Sequence, residues 1–181
     1  RKRTLIRTVC LILAACLLFI CLSRQRRQAV QTAAAKTDWG LSFQQEGAAP
    51  VGNATAEYLK QFDAYYTGPS DDKTIYLTFD AGYENGYTEK ILDILKEKNA
   101  PAAFFVTGHY MQSNPELIQR MHDEGHLVCN HTLNHKDLSS TTEISTYQQE
   151  LDGLCEIYLE ITGEPLPRFM ARPEGKYSES T

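Results

Sequence analysis

His131 and His135 stand with three residues between them, directly after Asn130, in a chain of 181 residues. In a helical turn that spacing turns two imidazoles to one face, as a divalent cation requires with its nitrogens at about 2.0–2.1 Å. Asp80 is the second group of interest. It follows the β-forming residues Ile75, Tyr76, Leu77, Thr78 and Phe79 and precedes Ala81-Gly82. A carboxylate at a strand end either caps its loop or sits in a cleft as a base that takes a proton from an activated water. Both readings predict burial, and only the second predicts closeness to the two histidines. The loop Gly82-Tyr83-Glu84-Asn85-Gly86 is longer than a tight turn needs, which makes it either a flexible connection or a substrate-contacting loop. Arg172, followed by Pro173, completes the set of chemically interesting positions.

The elements that must carry these residues follow from patterning. Residues 74–79 are β-branched and aromatic, which predicts a strand. Thr88 is then expected to cap a helix reaching residue 99, with Ile91, Leu92, Ile94 and Leu95 inward. A strand is predicted over 102–106. A helix opened by Asn114-Pro115 and ended before Gly125 follows, with Pro at its first position. A third strand is expected over 127–129, a long helix over 143–162 stopped at Gly163, and a fourth strand from 169 to 171. Strand and helix alternating at this spacing make an α/β fold with a parallel sheet and helical crossovers. Four such steps are either an open sheet or the first half of a barrel. In both cases chemistry collects at the carboxyl ends of the strands, where Asp80, Asn130-His131 and Arg172 all fall.

Charge divides the chain. Residues 1–27 hold seven Arg/Lys and no acid, whereas residues 28–181 hold eleven basic and 23 acidic residues. An acidic body argues against nucleic acid as a partner, since phosphate binding needs clustered Lys/Arg. The basic block instead flanks an apolar run of fifteen residues, 8–22. That run suits a signal-peptide core and is short of the roughly 18 or more residues of a bilayer span. Snorkelling Arg7 and Arg24 extend its usable length. Residues 1–27 are therefore expected to act as a membrane anchor, with a cleaved signal as the alternative, and everything beyond them to be exported. Leu13-Ala14-Ala15-Cys16 resembles a lipobox, although the apolar run continues past Cys16. Residues 28–56, rich in Gln, Ala and Thr, read as a solvated stalk. Three of the five cysteines lie in the apolar run, which leaves Cys129 and Cys155 and no zinc-finger ladder.

Thr78-Phe79-Asp80-Ala81-Gly82, His131-Thr132-Leu133-Asn134-His135 and Arg172-Pro173-Glu174-Gly175 together resemble, in order and spacing, the motifs of the polysaccharide deacetylases, the NodB-homology domain of a carbohydrate esterase family. Gly82 to Gly86, Phe104-Phe105-Val106-Thr107-Gly108-His109 and Gly175-Lys176-Tyr177-Ser178-Glu179 are similar to the sporulation branch, which deacetylates N-acetylmuramic acid on the way to the muramic δ-lactam of spore cortex. The resemblance covers residues 57–181. It implies the amino-terminal half of a deformed (β/α) barrel behind the membrane-anchor or signal helix.

By position the resemblance makes Asp80 the general base, His131 and His135 the metal ligands, and Arg172 the holder of the base. Tyr83 and Pro173 become candidate substrate contacts. It implies metal-assisted amide hydrolysis on peptidoglycan glycan strands, with a divalent ion of the Zn2+ or Mn2+ class polarising the acetyl carbonyl. The family's second aspartate is replaced by Ala81, which leaves two histidines and waters as ligands and implies weak, unselective metal binding. Arg172 stands one residue nearer the proline than in the family, and a slip of one in a strand turns a side chain to the other face.

The family's later motifs, one with Asp and Trp and one with the general-acid His, are expected beyond residue 181. Little turnover and poor solubility are accordingly expected of these 181 residues alone, because an uncovered sheet edge invites aggregation. His109, His122 and His126 read as surface or packing residues. The alternative reading is a non-catalytic, cell-wall-binding or structural relative that keeps the fold.

Overall fold

The computed structural model describes residues 38–69, 73–140 and 143–177. The apolar run at 8–22 and the first part of the expected stalk lie outside the described residues. Among the described residues no helix is long and apolar enough to cross a membrane. Residues 38–56 were expected to be a solvated stalk, yet they hold ordered structure. β1 (Leu41–Ser42) and β2 (Val51–Gly52) pair antiparallel. Trp39 N–H donates to the Gly175 carbonyl at 2.7 Å, and Asp38 bridges Lys176. The segment is therefore stitched to the motif around Arg172. A short helix, α1 (Ala56–Leu59), follows, capped by the Thr55 hydroxyl.

Three parallel strands make the sheet, in the order β3 (Thr78–Ala81), β4 (Ala103–Val106) and β5 (Leu127–Asn130). Alternation sorts their side chains onto two faces. Phe104, Val106 and Val128 point to one face and are buried, with Phe79 stacked on Phe104 at 4.9 Å. Helices cover that face. α2 (Thr88–Glu97) contributes Leu92 and Leu95, α4 (Pro115–Asp123) Leu117, Ile118 and Met121, and α5 (Ile144–Thr162) Leu154 and Tyr158. Burying each such side chain contributes about 1.5–3 kcal/mol, so this helix-covered face is what holds the fold together. The opposite face carries Asp80, Phe105 and Cys129 in one register row.

Several expected boundaries move, each for a local reason. The first strand is not 74–79 but Thr78–Ala81, since its partner begins at Ala103, opposite Thr78. Ile75 stays 84% exposed. Thr88 does not cap its helix but starts it; the cap is the Glu84 carboxylate, which accepts from the N–H groups of Tyr87 and Thr88. That helix ends at Glu97, where Asn99 turns left-handed at φ 49. A further helix, α3 (Gly108–Ser113), occupies a stretch that the patterning left as loop, opened by the Thr107 hydroxyl accepting from Tyr110 N–H. The expected fourth strand reduces to one parallel bridge, Asn130 with Met170, flanked by two backbone hydrogen bonds. The long helix ends as expected, at a left-handed Gly163.

Candidate functional site

β5 ends at Asn130, and the chain then curls through His131 to His135 in a loop rather than in the expected helical turn. Thr132 (φ 67) and His135 (φ 53) are left-handed. Asn130 makes this bend: its side-chain oxygen accepts from Thr132 N–H at 2.8 Å, and its amide donates to the Leu151 carbonyl at 3.0 Å. The Gly108 N–H reaches the carbonyls of Thr132 (3.3 Å) and Leu133 (3.0 Å). Only glycine fits there, since a Cβ on residue 108 would stand 2.5 Å from the Leu133 oxygen. Gly153 in α5 makes room for the Leu133 side chain in the same way.

The curl brings the two imidazoles together. Their ring centroids lie 4.8 Å apart with planes at 66°. Two rings binding one ion through nitrogens about 2.0–2.1 Å away place their centroids roughly 5 Å apart, so this spacing fits a shared cation. His131 is buried, and its Nδ1–H donates to the Ala171 carbonyl at 2.9 Å. That bond fixes the tautomer and leaves Nε2 with its lone pair, as a ligating histidine requires. The pair therefore suits two ligand positions of a divalent ion. Among the described residues no group of three or more His, Cys, Asp or Glu side chains gathers at one point. Ala81, without a donor atom, accords with that.

A second carboxylate holds the histidine loop from behind. Glu150, on α5, is 1% exposed and accepts at 2.8 Å from both the backbone N–H and the side-chain amide of Asn134. Lys136 Nζ pairs with it at 2.9 Å, and its own carbonyl accepts from Leu133 N–H. Burial pushes the Glu150 pKa up, but the Asn134 and Lys136 hydrogen bonds outweigh it and the carboxyl is held below its usual range.

The loop after Asp80 is anchored similarly. Tyr110, fully buried, places Oη 3.0 Å from Glu84 Oε2 and 2.9 Å from the Thr88 hydroxyl. Burial raises the Glu84 carboxyl, yet the hydrogen bonds from Thr88, Tyr110 and Gly86 bring it down to about 2. Tyr110 moves the other way, pushed up by burial and by the neighbouring carboxylate. The loop so held lines a cleft of about 700 Å³, with Tyr83, His109, Gln112, Asn134 and His135 on its walls. Tyr83 is 81% exposed and leans on His109, ring centroids 4.6 Å apart. An exposed aromatic next to polar side chains is suited to the apolar face of a sugar ring.

The family model described as polysaccharide deacetylase matches residues 67–181. The chain belongs to that family. Over 143 residues this deacetylase-family chain is 43% identical to the peptidoglycan-N-acetylmuramic acid deacetylase PdaA of Bacillus subtilis (strain 168), a match covering 78% of this chain and 54% of that protein. Its fold is similar to the structure of Bacillus subtilis PdaA, a family 4 carbohydrate esterase, with a TM-score of 0.73 at 42% identity, over 78% of this chain and 61% of that one. A family 4 carbohydrate esterase from Bacillus anthracis superposes with a TM-score of 0.65 at 43% identity, over 70% and 62%. The chain spans about half the length of the curated relatives it matches.

Against this family pattern the predicted residues fall as follows. His131 and His135 come together, and Tyr83 joins His135 on the wall of one cleft. Both readings of Asp80 required burial, yet it stands exposed near the end of β3, on the sheet face opposite Phe104 and Val128. Its register partner is Phe105, itself opposite Cys129, two residues before His131. At about 4.8 Å per strand this sets the Asp80 backbone roughly 10 Å across the sheet from Cys129. Arg172 is half-buried and leads into the turn Pro173–Gly175, where Pro173 is buried rather than open to a ligand.

His122 and His126 are packing residues, as expected. His122 bonds Tyr158 Oη at 2.9 Å, and His126 accepts from Ala102 N–H. His109 is an exposed surface residue, one of its two expected roles, and stands on the wall of the cleft. Sequence reasoning missed Glu150, Asn134, Glu84 and Tyr110. One signal was available for Glu150: at four-residue spacing with Leu154 and Tyr158 it is a charge on the buried stripe of a helix.

Proposed function

We propose that the protein hydrolyses the N-acetyl group of peptidoglycan amino sugars, with N-acetylmuramic acid, destined for the δ-lactam of spore cortex, as the substrate unit. The observation that carries this reading is the His131/His135 pair, 4.8 Å apart, with the His131 tautomer set by Ala171. A divalent ion of the Zn2+ or Mn2+ class held by those two histidines would polarise the acetyl carbonyl. Asp80 takes the proton from the attacking water as the new C–O bond forms. The C–N bond then breaks as the sugar nitrogen takes up that proton, releasing acetate and the free amine of the sugar. Arg172 holds the Asp80 carboxylate, and Tyr83 offers its exposed ring to the pyranose. The three parallel strands serve as the first strands of a deformed barrel.

The glycan lies outside the cell, which accords with export and with attachment to the membrane through residues 8–22. Fractionation of cells carrying the tagged protein tests that placement, and recovery in the soluble cytoplasm would refute it. The activity test is acetate release by the full-length protein from muramyl glycan strands beside strands in which only glucosamine is acetylated. Release from the muramic units supports the substrate assignment, and release from glucosamine units alone would replace it.

A further inference from the structure

We infer that Glu150 is a positioning residue for the metal site: it sets where His135 stands relative to His131, without touching the ion. The inference rests on the proposed role of the histidine pair and deepens it. The five-residue segment of motif two is tethered at one end by Asn130, which belongs to β5. Its other end has no strand to hold it. There Glu150 binds the residue before His135 twice, through Asn134 N–H and Asn134 Nδ2, and the residue after it once, through Lys136 Nζ. The backbone of the same residue holds Leu133. Three of the four positions from 133 to 136 thus bond to a single turn of α5, and His135 is the fourth. Its left-handed backbone (φ 53) is a conformation that an untethered histidine would leave.

The arrangement explains an otherwise costly feature. A carboxylate on the apolar stripe of α5, nearly without solvent contact, needs donors on both of its oxygens to be tolerated. Asn134 N–H supplies Oε2, Asn134 Nδ2 and Lys136 Nζ supply Oε1, and all three donors come from the histidine loop. A residue whose only role was to stabilise α5 would be served better by Leu at this position, as at Leu154.

The test is divalent-ion binding, measured calorimetrically with Zn2+ and by the visible spectrum of bound Co2+. It uses the purified chain, wild type beside Glu150→Gln, Asn134→Ala and Lys136→Met, with thermal melts of the ion-free proteins alongside. Glutamine keeps the shape of residue 150 but offers one acceptor where two are used. Glu150→Gln is expected to weaken ion affinity 10–100-fold, the range found for groups that orient ligands from behind, and to alter the Co2+ spectrum. Asn134→Ala is expected to reproduce the spectral change, because it severs the same tether from the loop side. A folded Glu150→Gln protein with wild-type affinity and spectrum would overturn the inference. Should Glu150→Gln fail to fold, Asn134→Ala decides in the same terms, and wild-type ion binding there would also overturn it. A wild-type protein that binds no divalent ion would instead remove the metal reading itself, a failure visible before any variant is compared.

Discussion

The Nδ1–H of His131 donates to the carbonyl oxygen of Ala171 across 2.9 Å. Forty residues separate the two, and the bond locks the second motif of the family to the third. It rests on the Asn130–Met170 bridge just before it, where Asn130 N–H reaches the Phe169 carbonyl and Ala171 N–H the Asn130 carbonyl. A histidine thus fixed has one nitrogen left for a cation and no freedom to swap tautomers.

Replacing both His131 and His135 by Ala should abolish divalent-ion binding, read by elemental analysis after dialysis. Retained metal in the double variant would move the site to another ligand set.

In the full-length protein, Asp80→Asn should lower acetate release by about 10²–10⁴-fold, the usual contribution of a positioned general base, with bound metal unchanged. Asp80 is exposed, so the substitution should barely move the melting temperature. Unchanged turnover would free Asp80 from its assigned role.

Tyr110→Phe removes a buried hydroxyl that serves both Glu84 and Thr88. The expected cost is about 1–3 kcal/mol in urea unfolding, because the carboxylate keeps its burial and loses a donor. An unchanged midpoint would show that the loop after Asp80 is held by the helix cap alone.

Gly108→Ala should destabilise the fold by about 1–3 kcal/mol, as overpacking does, and weaken metal binding at the same time. The added carbon would meet backbone oxygen at 2.5 Å, and that oxygen belongs to the histidine loop. Loss of stability with full metal affinity would show that the loop absorbs the shift elsewhere.

Stability should fall with acid through two groups. His126, lowered by burial from its usual 6.5, favours the neutral form when folded. Its contribution is present above about 6.5 and is lost as pH falls through the lower folded value. Glu84 lies at about 2 when folded against a usual 4.5, so its contribution is present above about 4.5 and lost as pH falls toward 2. Melting temperatures against pH, for wild type, His126→Asn and Glu84→Gln, check this. Each variant should flatten its own window, and a variant curve parallel to wild type would remove that group from the account.

The sequence by itself determined the strand–helix order, the helix ended by Gly163, the histidine pair, and the family with its motifs. These signals are local: periodic apolar residues, a terminating glycine, and short runs of side chains whose chemistry needs close spacing. It misplaced what depends on a partner elsewhere in the chain. The first strand starts at Thr78 because β4 starts opposite it. The fourth shrinks to one bridge at Met170, and α3 forms where Thr107 and the histidine loop hold it. The histidines meet through left-handed turns instead of a helix, and this only the tertiary structure decided, because those turns hold their shape through Glu150, Gly108 and Ala171. Each of the three is distant in sequence, and a hydrogen bond between distant residues leaves no periodic trace along the chain.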